Sequence, residues 1–232
     1  MIENIYGIQK MTLLDFPGKV AATVFLGGCD LRCPFCHNFE LATGRAPAVM
    51  SVSGLMEFLE KRKGLLDGVA ITGGEPCIHR DLPELIRDIR QLGYLIKLDT
   101  NGFHPKMLGR LLEEQLLDYV AVDIKNSPDK YAETCGLKEL ELEPLYESIR
   151  LLRESDVPYE FRTTVVDQYH EESDFHKIGR MIEGAPAYYL QQFTERDTVP
   201  DQHLVSPSKE KMALYLGIAK QYIPASAVRG VD

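Results

Sequence analysis

Several absences narrow this sequence before any motif is read. No run of ~18 apolar residues occurs, so no stretch suits a membrane-spanning helix. The start, Met1-Ile2-Glu3-Asn4, lacks the basic-then-apolar order of a secretory signal. The cytoplasm is the expected location, with no membrane partner. Positive charge is scarce: 26 Lys and Arg stand against 35 Asp and Glu in 232 residues, a formal net charge of -9. That is the wrong sign for gripping phosphate backbones, and nucleic acid is not expected as a partner. No solenoid repeat and no low-complexity stretch is visible, and the Gly/Pro-containing segments at 126–129 and 184–186 read as local loops. Cysteine is sparse too, five in all, and three fall between positions 29 and 36. A disulfide framework would spread them; this clustering suits metal ligands in a reducing compartment.

What is present is ordinary globular composition, 44% hydrophobic and 26% charged. A core can form without cross-links, and barrel-like α/β folds of this length remain single domains. One domain over 1–232 is expected. Residues 1–19 read as turns, with a hairpin over one barrel end. A strand-like run at 20–26 leads into the cysteine loop at 27–38, and Ser53 is placed as the cap of a helix reaching about Arg62. Short apolar runs then alternate with helical periodicity. Strands are expected at 68–72, 95–99, 119–123, 159–165 and 187–192, and helices at 82–92, 105–114, 145–154, 172–182 and 209–221. Alternation of this kind argues a parallel sheet with helices on its outer face. About six units fall short of the eight that close a full barrel, so the expected fold is α/β, a partial, open (β/α)6 TIM-like barrel.

Barrel enzymes work at the C-terminal ends of their strands. Here those ends carry Cys29, Cys33 and Cys36; then Gly73-Gly74-Glu75-Pro76, Asp99-Thr100-Asn101-Gly102 and Asp123-Ile124-Lys125; then Arg162, Gln191 and Gln192. Three thiolates at CxxxCxxC spacing can point at one object. A cubane cluster usually takes four soft ligands, so three would leave one iron open, the mark of a catalytic metal. A zinc site completed by His37 or Cys77 is the competing reading. Glycines after a strand permit a turn or let backbone approach a ligand, and Glu75 could take an ammonium group. Asp123 and Lys125, two apart on a strand, point the same way. Cys77 and Cys135 read as small buried residues; His79, His104, His170, His176 and His203 read as surface or loop histidines.

Together, Cys29-x-x-x-Cys33-x-x-Cys36 and Gly73-Gly74-Glu75-Pro76 resemble the radical S-adenosylmethionine (SAM) superfamily. The words Met11-Thr12-Leu13-Leu14-Asp15-Phe16-Pro17-Gly18-Lys19 and those at 25–38 look like the activating proteins of glycyl radical enzymes, most of all the longer form that serves anaerobic ribonucleoside-triphosphate reductase. The resemblance is strongest from residue 8 to 125 and thin after about 195. It implies one [4Fe–4S] cluster on Cys29, Cys33 and Cys36, with SAM chelating the fourth iron. It implies Phe35 beside the adenine, and Gly73, Gly74 and Glu75 receiving the methionine amino group. It also implies Asp99, Thr100, Asp123 and Lys125 around the carboxylate, the ribose and a bound monovalent cation, with Arg162 near the methionine. The implied reaction is one-electron cleavage of SAM to a 5′-deoxyadenosyl radical that takes hydrogen from a glycine of a partner enzyme, with flavodoxin or ferredoxin as electron donor. No general base is needed. A small-molecule substrate, or a non-catalytic zinc-binding interaction domain, are the alternatives. A histidine that the pyruvate formate-lyase activator places near the ribose has no counterpart, since the sixth strand reads Leu190-Gln191-Gln192-Phe193. Extra cysteine knuckles, which mark activators with further clusters, are also missing.

Overall fold

A computed structural model describes residues 2–229. In chain order the elements are β1 (Asn4–Ile5), β2 (Gly7–Thr12), β3 (Ala21–Leu26), α1 (Phe39–Ala42), β4 (Met50–Ser51), α2 (Val52–Glu60), β5 (Gly68–Gly73), α3 (Leu82–Gln91) and β6 (Leu95–Thr100). They continue with α4 (Pro105–Glu113), β7 (Tyr119–Asp123), α5 (Tyr131–Thr134), α6 (Glu143–Glu154), β8 (Tyr159–Val165), α7 (Glu172–Met181), β9 (Tyr188–Gln192), α8 (Lys209–Tyr222) and β10 (Ser226–Arg229). Eight strands form one curved sheet in the order β10-β9-β8-β7-β6-β5-β3-β2. Every pairing in it is parallel except β2 with β3. The six expected strands are therefore present in sequential order as an open barrel arc. The arc is longer than expected by a seventh parallel strand, β10, and by the antiparallel edge β2.

The helical faces follow the 3.6-residue period. In α3 the buried residues are Leu82, Pro83, Leu85, Ile86 and Ile89, with the aliphatic ones in one stripe against the sheet. Proline stands in the first turns of α3, α4 and α6, where its missing N–H costs nothing. The cap of α2 is Ser51, not Ser53: its hydroxyl accepts from Gly54 N at 3.1 Å. Ser51 also ends β4, whose pairing with β1 fixes where the helix starts.

Alternation along each strand divides the barrel. Val24, Leu26, Val69, Ile71, Ile96, Leu98, Val120, Val122, Phe161 and Leu190 are wholly buried in the apolar core. The alternate positions, Lys97, Asp99, Asp123, Glu160, Arg162 and Gln191, share the opposite face, the lumen. At the N-terminal end of the strands the lumen is stoppered. Phe16, buried, lies 6.3 Å from the Tyr119 ring and would touch a Cβ on Gly68. Asp15 accepts from Thr23 Oγ1 at 2.5 Å. Beside them Arg229 holds buried Glu160 through two bonds of 2.7 and 3.0 Å and stacks on Tyr189 at 3.3 Å, while Tyr119 OH donates to Glu160 at 2.9 Å. The loop expected over one barrel end is this plug.

Candidate active site

At the other end, the C-terminal ends of the strands surround a cavity of about 250 Å³. Cys29, Cys33, Phe35, Cys36, Gly73, Gly74, Glu75, Asp99, Thr100, Asp123, Lys125 and Arg162 all line it, so every residue the resemblance singles out is brought to one place. Asn38, Thr72, Asn101, Thr164 and Gln191 line it as well. Gln192 does not; it turns away and donates to Pro207 O at 2.8 Å.

The cysteine loop is fixed on several sides. Cys36 N donates to Cys33 O at 3.1 Å, closing a turn, and Arg32 N donates to Cys135 O at 2.9 Å. Asp30 accepts from Asn101 Nδ2 at 2.9 Å and pairs with His104 at 3.0 Å. His37 sets its ring on Phe193 and its Nε2 against Thr194 O at 2.7 Å. Burial pushes the Cys29 thiol up to about 12 and raises Cys36 also; Cys33 is drawn down, chiefly by its hydrogen bond with Cys135. Lys125 favours the thiolate at all three positions. Among the described residues no three His, Cys, Asp or Glu side chains form a group fitted to one metal ion. The thiols instead share the wall of one cavity, an all-sulfur donor set of the kind that iron–sulfur clusters use.

The glycine pair has a sterically exact reason. A Cβ on Gly73 would stand 2.2 Å from Leu26 O, and one on Gly74 would stand 1.9 Å from Gly28 O. Gly74 N donates to Leu26 O at 2.9 Å and Glu75 N to Gly28 O at 2.8 Å. The end of β5 thus lies against the backbone that carries Cys29, and backbone crowding, not only access for a ligand, demands glycine. Glu75, 1% exposed, accepts from Cys77 N at 2.9 Å, Thr100 Oγ1 at 2.7 Å and Asn101 N at 2.6 Å. It ties the ends of β5 and β6 together. Burial raises its pKa against those three donors.

Across the lumen runs a ladder of charges. Lys97 pairs with Asp99 Oδ1; Arg162 bridges Asp99 Oδ2 at 3.1 Å and Asp123 Oδ1 at 2.9 Å; Lys125 meets Asp123 Oδ2 at 3.0 Å. Burial opposes the charge of Asp123, but Arg162 and Lys125 beside it hold the carboxyl well below its usual range. Lys125 and Arg162 are raised in turn, Asp123 overriding their burial. The Asp123–Lys125 pair is therefore part of a partly buried network and not a solvated surface pair.

Two histidines differ from expectation. His104 is tied to Asp30 in the cysteine loop, and its pKa is raised by that bond. His170, 3% exposed, accepts from Val166 N at 3.1 Å through Nδ1 and bonds Lys125 O at 3.0 Å through Nε2, so two backbone groups set its tautomer. It pins the segment that presents Lys125, as does Tyr131 OH, which accepts from Lys125 N at 3.1 Å. Lys97 and His170 are not legible as site residues in the sequence; the two-residue spacing of Lys97 and Asp99 is the available signal.

The sequence profile of the radical SAM superfamily matches residues 23–182. A protein of Methanocaldococcus jannaschii assigned as a glycyl-radical enzyme activating enzyme is 34% identical over 236 residues, 98% of this chain and 96% of that one. The pyruvate formate-lyase-activating enzyme of Listeria monocytogenes is 27% identical over 204 residues, 80% of this chain and 78% of its own. Among solved structures, Streptococcus suis SuiB superposes with a TM-score of 0.70 at 14% identity, over 90% of this chain and 49% of SuiB; methylornithine synthase gives 0.66 at 12%, over 89% and 63%. The chain spans about half the length of SuiB, and these two likenesses speak for the fold. Matched over more than half its length by the superfamily profile and over nearly all of it by such a relative, the chain belongs to the radical SAM superfamily, within its glycyl-radical-enzyme activating family.

Proposed function

We propose that this chain is a single-domain, cytoplasmic activase that cleaves SAM reductively and installs a glycyl radical on a partner enzyme. The observation that carries the reading is the convergence of three thiols, the Gly-Gly-Glu strand end and the charge ladder on one cavity at the barrel mouth. As a radical SAM enzyme it takes a [4Fe–4S] cluster and SAM, and the donor set fits: Cys29, Cys33 and Cys36 would hold three irons. When bound, the cluster and SAM together supply a carbon-centred radical able to take a hydrogen atom from an unactivated C–H bond.

The chain's own residues position and exclude. Lys125 lays positive charge beside the thiolates, which favours their ionised, ligating form. The backbone at Gly73-Gly74, held by Glu75, offers the wall for the methionine amino group, and Phe35, packed 6.1 Å from Tyr169, offers a face to the adenine. Asp99, Thr100, Asp123 and Arg162 present a wall of fixed charges and dipoles to the remaining polar groups of SAM. Gln191 stands at the sixth strand, where the ribose-contacting histidine of the pyruvate formate-lyase activator has no counterpart. The open arc gives a protein loop access to the mouth.

The partner is taken to be anaerobic ribonucleoside-triphosphate reductase, on the resemblance carried by residues 11–19 and 25–38, with flavodoxin or ferredoxin as donor. The identity with a pyruvate formate-lyase-activating enzyme supports a formate-lyase as the second reading. The test is anaerobic reconstitution, reduction with dithionite and SAM, and assay of 5′-deoxyadenosine against Cys33→Ala. The reconstituted enzyme is then mixed with each partner and the glycyl doublet read by electron paramagnetic resonance. No 5′-deoxyadenosine from the wild type refutes the reading; a doublet on the formate-lyase alone overturns the choice of partner.

A further inference from the structure

We infer that Lys97 is a built-in cation, standing where a monovalent metal ion would otherwise neutralise Asp99, so that the cofactor site of this chain is charge-complete without one. The inference rests on the proposed site only for its location; the ladder itself is a property of the folded chain. Asp99 and Asp123 together present four carboxylate oxygens to the lumen, and each already meets a cationic nitrogen. Asp99 Oδ1 meets Lys97 Nζ, Asp99 Oδ2 meets Arg162 Nη1 at 3.1 Å, Asp123 Oδ1 meets Arg162 Nε at 2.9 Å, and Asp123 Oδ2 meets Lys125 Nζ at 3.0 Å. Three cations, Lys97, Arg162 and Lys125, set against two carboxylates leave a local surplus of one positive charge. A further monovalent cation would enter that field against repulsion, and each of the four carboxylate oxygens already has a cationic partner.

Lys97 is built for the place. Its side chain is 1% exposed, while Asp99 is 14% and Arg162 13% exposed, so the ammonium has no route to water and must find its charge partner inside. The strand register makes room for it. The residue level with Lys97 on β5 is Ala70, fully buried, and the residue level with it on β7 is Tyr119. The small side chain on β5 leaves lumen space for the lysine stem. If the pair were purely structural, its Lys97→Met variant would be indifferent to which ions are in solution, and that separates the two roles.

Full-length apo-protein is melted in sodium, potassium or tetramethylammonium chloride at equal ionic strength, for the wild type and for Lys97→Met. The wild type is expected to melt at the same temperature in all three salts. Lys97→Met, with Asp99 Oδ1 laid bare, is expected to melt ~5–10 °C lower in tetramethylammonium. It should recover saturably as sodium or potassium is titrated in. After reconstitution, 5′-deoxyadenosine formation should follow the same pattern, salt-indifferent in the wild type and cation-requiring in the variant. A saturable rise of the wild-type melting temperature with either metal ion would overturn the inference, as would a variant that folds yet ignores the cation. If Lys97→Met does not fold, the wild-type titration still decides. Because melting needs neither cluster nor SAM, salt-indifferent melting with no SAM cleavage would support the ladder and refute the cofactor reading alone.

Discussion

Gly74→Ala isolates the reason for the glycine pair. The new Cβ would lie 1.9 Å from Gly28 O and 2.6 Å from Gly28 C, both backbone atoms that cannot swing aside. Ordinary contact begins near 3.4 Å, so the two backbones must part by roughly 3.4 − 1.9 = 1.5 Å. That parting breaks Gly74 N to Leu26 O and Glu75 N to Gly28 O, now 2.9 and 2.8 Å. Two lost hydrogen bonds at ~0.5–1.5 kcal/mol each, added to overpacking of ~1–3 kcal/mol, give a cost of about 2–6 kcal/mol. For a chain of this size each kcal/mol moves the melting temperature ~2–4 °C, so a fall of roughly 10 °C is expected. The displaced backbone carries Cys29, so iron bound on anaerobic reconstitution should fall as well. Gly217→Ala is the control. No atom stands within 4 Å of its added Cβ, and in the exposed face of α8 alanine should stabilise by ~0.5–1 kcal/mol. Calorimetry and iron content on both variants, compared with the wild type, make the measurement. A Gly74→Ala protein with wild-type melting and full iron loading would refute the argument that backbone crowding requires glycine there.

Three further outcomes follow from the buried polar groups. Arg162→Met strips one oxygen of Asp99 and one of Asp123 of their partner and should cost ~3–5 kcal/mol at pH 7. The lowered pKa of Asp123 stabilises the fold above the usual carboxylate range and is lost as pH falls through its depressed value, so this variant should show a shallower acid limb in melts followed by circular dichroism. His170→Gln addresses a histidine whose pKa is lowered by burial. Its contribution is full above pH ~6.5 and declines as pH falls below that, because the unfolded chain takes the proton first. The variant should melt lower at pH 8 yet lose less than the wild type between pH 7 and 5; parallel pH profiles would count against this account. Arg229→Ala leaves fully buried Glu160 with the Tyr119 hydroxyl alone and should cost ~3–5 kcal/mol, with iron loading per folded chain unchanged since the pair lies at the far end of the lumen. Loss of loading in folded Arg229→Ala would mean that the two ends are coupled.

The sequence made the strand order and the mouth residues readable because both rest on local rules. Apolar runs of period 2 and stripes of period 3.6 mark the units, and a parallel barrel sends each strand's last residues to one rim. Boundaries moved where a tertiary partner decides them: Ser51 rather than Ser53 caps α2 because β4 pairs with β1. Lys97 was passed over although it stands two residues from Asp99, the spacing that had singled out Asp123 and Lys125. A lone lysine in an apolar strand carries no sign of the carboxylate it will meet. His170 is a similar case, since its partner Lys125 O is a backbone atom that no residue code reveals; Glu75 is legible as a site residue, but its bond from Asn101 N is not. The edge strand β2, Gly7–Thr12, is as long as β3 but largely solvent-facing, and the seventh strand β10 has four residues, so neither carries a strong apolar run.

Among the described residues, the plug beneath the barrel turns the lumen into a vessel with one door. Phe16, Tyr119 and the Arg229–Glu160 pair shut the floor, so whatever reaches the thiols enters and leaves over the rim formed by the strand ends. On the proposed reaction, that door must admit a small cosubstrate, then a loop of a large protein, and later release the spent nucleoside and amino acid. A single door imposes a queue. SAM must be seated before the partner docks, and its fragments can depart only after the partner withdraws. Each activation would therefore be one complete docking cycle, with turnover timed by separation of the two proteins.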